Sequence, residues 1–468
     1  MAAGRPNILL VMTDSSRRDT LSCYGAAHAV SPCLDRLAAE GARFEQAHTS
    51  APVCTPARAS LLTGTHTPVH GCVENGIARR PDLVTLPKLL GRAGYHTIMV
   101  GKTHFGGPAA FDDESVLGGE KGAEVEDDYA RHLAAHGFGR ASAHPNPIPP
   151  DLFCDAFLVD RTIEGISRHR TERPAQPFFA FCSLPSPHSP LDPPGEWAAL
   201  FDGVDLPRLN YTPGEEDRRP AHLEQLVGRR GVEAEQQDGS LDLDAVDRQR
   251  RLYYGSAAYC DAQVGRLVGW LDANELRDDT LVVFTTDHGQ QYYDHGFNDK
   301  HTFYDESWRI PLIVRLPGVI AAGSVRDWAM TTDLTATFAA VAGVDAPMLQ
   351  GFNLLGPPAR TCAASVLHRS LALATDEWKL EYYPEHATGR LFDRRTDPHE
   401  QHDIWAERVE VRRQLLEALL AWRADLTDVQ YLQEHTHHGG PVAQRVAAQT
   451  ARRTGLDAEL RLSRRVRA

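Results

Sequence analysis

A short apolar run near the N-terminus constrains the fold of this chain more than any other feature. Residues 7–12 read NILLVM, without the alternation of a half-exposed strand, and the run ends in polar Thr13 and Asp14. Such a run is typical of a central parallel strand that is covered on both faces. Two further predicted strands, over 96–102 and 281–286, each follow a predicted helix. This alternation predicts an α/β fold with a large, mostly parallel central sheet sandwiched by helices.

Changes of composition along the chain predict its domains. Residues 1–360 carry the α/β pattern, and a charged surface insertion interrupts them over 202–247. Residues 361–440 are predicted to form a small α+β subdomain of antiparallel strands followed by a helix. Residues 441–468 hold seven arginines and form a basic tail. The tail is interpreted either as a solvated arm or as an arm that reaches an acidic neighbouring subunit of a homo-oligomer.

Charge and hydropathy argue against several classes of function. The 468 residues include 49 Lys and Arg against 63 Asp and Glu, a formal charge of −14. This acid excess argues against nucleic-acid binding, which needs clustered positive charge. The apolar runs are far shorter than a membrane span, and the N-terminal run is too short for a secretory signal. We therefore expect a cytoplasmic protein that binds neither nucleic acid nor membranes.

Three side chains that can bind metals follow two of the predicted strands. Asp14 ends the first strand, and Asp287 and His288 follow the strand over 281–286. Ligands of open α/β sheets bind at the carboxyl ends of the strands. Carboxylates and imidazole can hold a divalent cation, and that cation can hold an anionic ester oxygen. The alternative is that Asp14 caps a turn and that the Asp287 segment is a plain transition from strand to loop.

Cys54 and Arg58 fall in the first turns of another predicted helix, which runs to Thr63. The eight cysteines are scattered without a CxxC pair, so neither a disulfide framework nor a zinc knuckle is indicated. Pro56 suits the first turn of a helix, and a helix N-terminus favours an anion. Arg58 lies four residues after Cys54 and so shares its face of the helix. The pair fits an oxyanion pocket, although an ordinary cysteine near an arginine has the same pattern.

The segments around these residues resemble the sulfatase family, within the alkaline phosphatase superfamily. The stretch CTPAR over 54–58 matches the family's C-x-P-x-R signature, and ASLLTGTHTPVHG extends the match. Further segments follow in family order, among them PNILLVMTD, GYHTIMVGKTHFG, FCSLPSPHSP and TLVVFTTDHG. The segment 202–247 and the basic tail lie outside the resemblance.

The resemblance implies a hydrolase of the arylsulfatase type that uses a modified cysteine. In this family a formylglycine-generating enzyme oxidises the signature cysteine, which Cys54 matches, to formylglycine. One hydroxyl of the hydrated aldehyde attacks sulfur or phosphorus, and the alcohol leaves. The other hydroxyl then collapses to the aldehyde and expels the anion. The implied substrate is a sulfate ester of a small molecule or a saccharide.

The resemblance also implies roles for individual residues. Asp14, Asp287, His288 and the modified Cys54 match the ligands of one divalent metal ion, calcium by preference, with manganese or magnesium as alternatives. Arg58 matches the residue that holds the formylglycine. The other matches surround the ester: Lys102 and His104 in GKTH, His188 in SPHSP as the candidate general acid, and Lys300 on the sulfate and its bridging oxygen.

Three positions keep alternatives open. Ser15 stands where family members commonly have a second aspartate, and His288 stands where many sulfatases have asparagine. Both features are closer to phosphonate monoester hydrolases, so a phosphonate monoester or phosphodiester hydrolase is the alternative function. A non-catalytic homologue that binds anions is a third. Asn75 is either a turn residue ahead of Gly76 or a contact to the substrate anion.

Overall fold

The computed structural model describes residues 5–117, 126–212, 215, 242–434 and 457–466. The rest of the predicted insertion and of the basic tail, namely 213–214, 216–241, 441–456 and 467–468, lies outside the described residues. No helix in the described ranges is both long enough and apolar enough to cross a membrane.

The chain forms two compact units, each built from several separate stretches of sequence. Unit 1 contains Met1–Glu45, Leu90–Thr103 and Ala110–Arg326. Unit 2 contains Gln46–Leu89, His104–Ala109 and Asp327–Ala468. The division into domains at residue 360 stays a prediction, because these units group the chain in a different way.

The larger sheet has eight strands in the order β4-β3-β5-β1-β6-β7-β2-β8. The strands are β1 Asn7–Asp14, β2 Ala42–His48, β3 His96–Gly101, β4 Asp113–Val116, β5 Phe178–Pro187, β6 Thr280–Thr286, β7 Leu312–Arg315 and β8 Ser324–Met330. β1 pairs in parallel with both β5 and β6, whereas β7 pairs antiparallel with β6 and with β2. The predicted α/β fold with a mostly parallel sheet is therefore confirmed.

Long helices of unit 1 share one apolar core with this sheet. The described helices of the whole chain are α1 Pro32–Glu40, α2 Cys54–Thr63, α3 Thr67–His70, α4 Leu86–Arg92, α5 Asp128–Ala135, α6 Cys154–Glu172, α7 Leu243–Ala273, α8 Asp305–Trp308, α9 Thr331–Val341, α10 Val409–Glu434 and α11 Asp457–Arg465. α7 begins directly after Asp242, whose carboxylate caps the helix by accepting from the Asp244 N–H. Leu158 of α6, Leu267 of α7 and Val282 of β6 belong to the same buried cluster.

Unit 2 contains the antiparallel sheet that the sequence predicts after residue 361. Its strands are β9 Ala363–Leu367, β10 Ser370–Ala374, β11 Trp378–Tyr383 and β12 Thr388–Asp393, in the order β12-β11-β10-β9. α10 packs on this sheet, and α11 packs on α10. Leu462 of α11 is buried in the same cluster as Trp422 of α10. The described part of the basic tail is thus packed within its own unit and is not a solvated arm.

A buried ion cluster connects α11 to other parts of unit 2. Glu459 accepts from Arg360 at 2.6 Å and from the Trp422 indole at 2.8 Å, and His66 Nε2 lies 2.8 Å from the same carboxylate. Arg360 also donates to Asp333 at 2.7 Å. Burial alone would raise the pKa of Glu459, but the positive charge of Arg360 and the other donors lower it to about 2. Glu459 is therefore an anionic anchor for the C-terminal helix.

Replacing Glu459 with Gln should destabilise the protein, because Arg360 then keeps only one carboxylate partner. At neutral pH we expect a loss of about 3 kcal/mol in the free energy of unfolding, as for other broken buried ion pairs. The folded-state pKa of Glu459 lies below its ordinary value of 4.5. The stability that Glu459 contributes is therefore complete above that ordinary value and is lost as the pH falls toward the folded-state value.

Thermal unfolding of wild type and of Glu459→Gln, followed by circular dichroism, measures this effect. The difference in Tm should be large near neutral pH and should shrink near pH 3. Glu417→Gln on the exposed face of α10 is the matched control, because its partner Arg413 is also exposed. If the Tm difference between wild type and Glu459→Gln does not change with pH, Glu459 does not stabilise the C-terminal helix as an anion.

Candidate metal centre and active site

The carboxyl ends of β1 and β6 bring Asp14, Asp287 and His288 together in unit 1. The two strands are in parallel register, with Thr13 opposite Thr286, so the residues that follow emerge side by side. All three side chains are fully buried. Each offers a ligand atom, and these atoms lie within 4.8 Å of one another. The structure thus places three predicted ligands in one cluster.

Hydrogen bonds orient His288 toward this cluster. Its Nδ1 lies 2.7 Å from the Gly289 carbonyl oxygen, which can only accept, so Nδ1 carries the proton. Its Nε2, 3.8 Å from Asp287 Oδ1, is then the nitrogen with a lone pair. Metal-binding histidines are usually held in this way, with one ring nitrogen on a carbonyl and the other on the ion.

The donor set fits a divalent cation. Two buried carboxylates bring two negative charges, and Lys102 Nζ, 2.8 Å from Asp14 Oδ2, balances one of them. Burying like charges together is unfavourable without a cation between them. Carboxylate oxygens suit calcium, magnesium and manganese, and manganese also accepts imidazole. The residues present therefore match what a bound ion needs.

A second polar group in unit 1 joins His188 to Lys300. The Nδ1–H of His188 donates to the Ser189 carbonyl at 2.8 Å, so its Nε2 accepts from the Lys300 ammonium at 2.9 Å. Lys300 is buried, and its Nζ also lies 3.5 Å from Asp299. Burial alone would raise the pKa of Asp299, but the adjacent positive charge of Lys300 lowers it. The cation and its carboxylate thus remain charged beside the imidazole.

In unit 2, Cys54 begins helix α2, as the sequence predicts. Val53 before it is extended and provides no side-chain cap, and all ten residues of α2 are buried. Arg58, one turn later, is fully buried. His104 belongs to the same unit and has a φ of +43°. Three of the residues that the resemblance places around the ester belong to unit 1, namely Lys102, His188 and Lys300.

Asn75 has a role that neither interpretation of the sequence includes. Its side-chain oxygen accepts from the Thr55 N–H at 2.9 Å, and so it caps the first turn of α2. The N-cap position itself holds Val53, which cannot do this. No local pattern connects residues 55 and 75, so the sequence could not have indicated this contact.

Comparison with known proteins identifies the family. Residues 6–344 match the family model described as Sulfatase, well over half of the chain. This chain belongs to the sulfatase family. The N-acetylglucosamine-6-O-sulfatase of Bacteroides thetaiotaomicron is 26% identical, with 89% of this chain and 86% of that protein aligned. The choline-sulfatase of Rhizobium meliloti is 27% identical, with 85% of this chain and 82% of that protein aligned.

A solved structure has the same fold. The phosphonate monoester hydrolase of Agrobacterium radiobacter superposes on this sulfatase family member with a TM-score of 0.79 at 23% identity. The alignment covers 90% of this chain and 96% of that one. The predicted family, its fold and its enzyme class, a sulfuric ester hydrolase, are thereby confirmed.

Calcium should raise the Tm of metal-free protein, because an ion that binds only the native state stabilises that state. The gain is about 2.7 kcal/mol when free ion is a hundredfold above Kd. Asp287→Asn removes one of the predicted charged ligands and should abolish most of this shift in a thermal scan. Asp278→Asn, an exposed carboxylate just before β6, is the control and should keep the shift. Equal shifts in both variants would show that calcium binds elsewhere.

Proposed function

We propose that this chain hydrolyses the sulfate ester of a small molecule or saccharide, with Cys54, converted to formylglycine, as the nucleophile. The observation that carries this proposal is the buried cluster of Asp14, Asp287 and His288 in a chain with the sulfatase signature at Cys54. The N-acetylglucosamine-6-O-sulfatase relative supports a saccharide as the alcohol half of the ester. A formylglycine-generating enzyme is the partner that the conversion requires.

The metal ligands in this proposal are Asp14, Asp287, His288 and the formylglycine at position 54. Calcium is the preferred ion, because three of these ligands are oxygen donors and two carry negative charge. A bound ion supplies charge stabilisation to an ester oxygen and favours ionisation of the attacking hydroxyl. Ser15 adds no second carboxylate to this set.

The cationic residues bind the sulfate group and hold the nucleophile. Arg58, buried one turn after Cys54, keeps the formylglycine in place through its fixed guanidinium. Lys102 and His104 match the two family residues that contact the ester. Together with Lys300 they stabilise the charge that develops on the sulfate oxygens.

His188 and Lys300 act on the leaving alcohol. Because Nδ1 of His188 donates to the Ser189 carbonyl, the ring presents Nε2 to Lys300. The pair can lose one proton to the leaving oxygen as the bond between that oxygen and sulfur breaks, which leaves both side chains neutral. This assigns general-acid catalysis to a pair of residues that share one proton.

A phosphonate monoester or phosphodiester is the alternative substrate. His288 and Ser15 favour it, as does the common fold with the phosphonate monoester hydrolase. A sulfate monoester and a phosphonate monoester are both monoanions with a tetrahedral centre. One pocket can therefore accept either, and the preference between them decides the function.

The identity of the nucleophile is tested by mass and by mutation. The tryptic peptide 44–58 holds a single cysteine, so loss of its thiol and gain of an aldehyde are directly visible by mass spectrometry. Protein co-expressed with a formylglycine-generating enzyme should carry the aldehyde and hydrolyse an aryl sulfate. Cys54→Ala should lose this activity completely, because it can form no aldehyde.

The matched control is Cys72→Ala, at another buried cysteine of unit 2. It should leave the aldehyde in peptide 44–58 and keep activity. Circular dichroism should show that Cys54→Ala is folded, so that its loss of activity reports on the nucleophile. Turnover by this variant at the wild-type rate would overturn the mechanism.

Substrate preference is tested with a sulfate and a phosphonate monoester of the same phenol. Identical leaving groups make the ratio of kcat/KM values a measure of the anion alone. We expect the larger kcat/KM for the sulfate ester. A larger value for the phosphonate ester would assign the chain to the alternative function while leaving the nucleophile unchanged.

A further inference from the structure

Ser15 lies between the two carboxylates of the buried cluster, Asp14 and Asp287, and donates to both. Its backbone N–H donates to Asp287 Oδ1 at 3.1 Å, and its hydroxyl donates to Asp14 Oδ1 at 2.9 Å. The residue is only 1% exposed, so water does not compete for these donors. One residue thus connects the ends of β1 and β6 through two hydrogen bonds to charged acceptors, which are stronger than bonds between neutral groups.

The backbone at Ser15 adopts an unfavourable conformation to make both bonds. Its φ is +65°, in the left-handed region that side chains with a Cβ disfavour. Tyr253 of α7 holds it there: the phenol donates to the Ser15 carbonyl at 2.7 Å and accepts from the Arg17 N–H at 2.7 Å. The Ser16 N–H donates to Thr286 Oγ1 at 3.1 Å. Such strain is kept where surrounding contacts impose it, commonly at functional sites.

The two donors fix how each carboxylate is rotated. Asp287 Oδ1 accepts the N–H groups of both Ser15 and His288. Asp14 Oδ1 accepts the Ser15 hydroxyl, while Asp14 Oδ2 faces Lys102. Two buried like charges would otherwise turn away from each other. With these bonds the carboxylates are already oriented before an ion arrives.

We propose that Ser15 is a positioning residue that holds both metal-binding carboxylates and is not itself a metal ligand. The inference rests on the proposed metal centre and deepens it. Ser15 uses its hydroxyl proton on Asp14 and its backbone N–H on Asp287. Ser15 is thus a neutral residue at a position where family members commonly have a charged aspartate, and it orders the two ligands.

Europium(III) bound in place of the native ion tests this proposal without reference to activity. Its luminescence lifetimes in light and heavy water give the number of water molecules on the bound ion. Ser15→Ala removes the hydroxyl and keeps the backbone N–H. We expect about a 10- to 100-fold weaker affinity for europium(III), as for other residues that orient metal ligands, with an unchanged number of bound waters.

Two further variants make the result specific. Ser15→Gly also lacks the hydroxyl but accepts the positive φ without strain, so it should fold at least as well as Ser15→Ala and show the same loss of affinity. Ser16→Ala, one residue later, keeps its backbone N–H and should bind europium(III) as wild type does.

The outcomes separate this inference from the proposed function. Wild-type protein that binds neither europium(III) nor Ca²⁺ would overturn the metal centre and this inference with it. Binding by wild type with equal affinity in Ser15→Ala and Ser15→Gly would overturn only the positioning role. One additional bound water in these two variants would show that Ser15 is a ligand and would also overturn it.

Discussion

The parallel pairing of β1 with β6 is the constraint on which the rest of the site depends. Five consecutive apolar residues of β1, Ile8 to Met12, are buried between neighbouring strands, which fixes the strand in the centre of the sheet. A shift of one residue would turn every side chain of the strand to the opposite face. On the β5 side the register shifts between Met12 and Asp14, where the carboxylate leaves the sheet. The hydrophobic core thus determines where the charged groups lie.

The acidic net charge of the chain and its anionic substrate are compatible because the cations are buried locally. Lys102 and Lys300 are each at most 7% exposed, and each lies close to a carboxylate in unit 1. A buried ammonium acts in a low dielectric, where its field is much stronger than that of a surface lysine. The charge of −14 therefore describes the chain as a whole. The local charge at a bound ester would instead be set by the buried ammonium groups of Lys102 and Lys300.

The sequence predicts the strands and the polar residues at their carboxyl ends because both follow from short-range patterns. An apolar run of strand length ends in Asp14, another ends in Asp287 and His288, and a proline-containing turn begins a helix at Cys54. The contacts that orient these residues cannot be predicted in this way. The phenol that holds the Ser15 turn is 238 residues away, and its effect depends on a positive φ that no propensity favours at serine. Periodicity reports on windows of about a dozen residues, whereas these bonds are made by the tertiary fold.

The hydrogen bond from Lys300 to His188 has a consequence for the chemistry of the leaving group. An imidazole whose Nδ1–H is held by a carbonyl can offer a proton from Nε2 only if it is cationic or if a neighbour supplies one. Lys300 is that neighbour, and Asp299 beside it balances the positive charge. In the proposed reaction, the pair can give up one proton as negative charge grows on the leaving oxygen, without a free imidazolium forming beforehand. Under the proposed function, Lys300 would both bind the sulfate group and supply the proton.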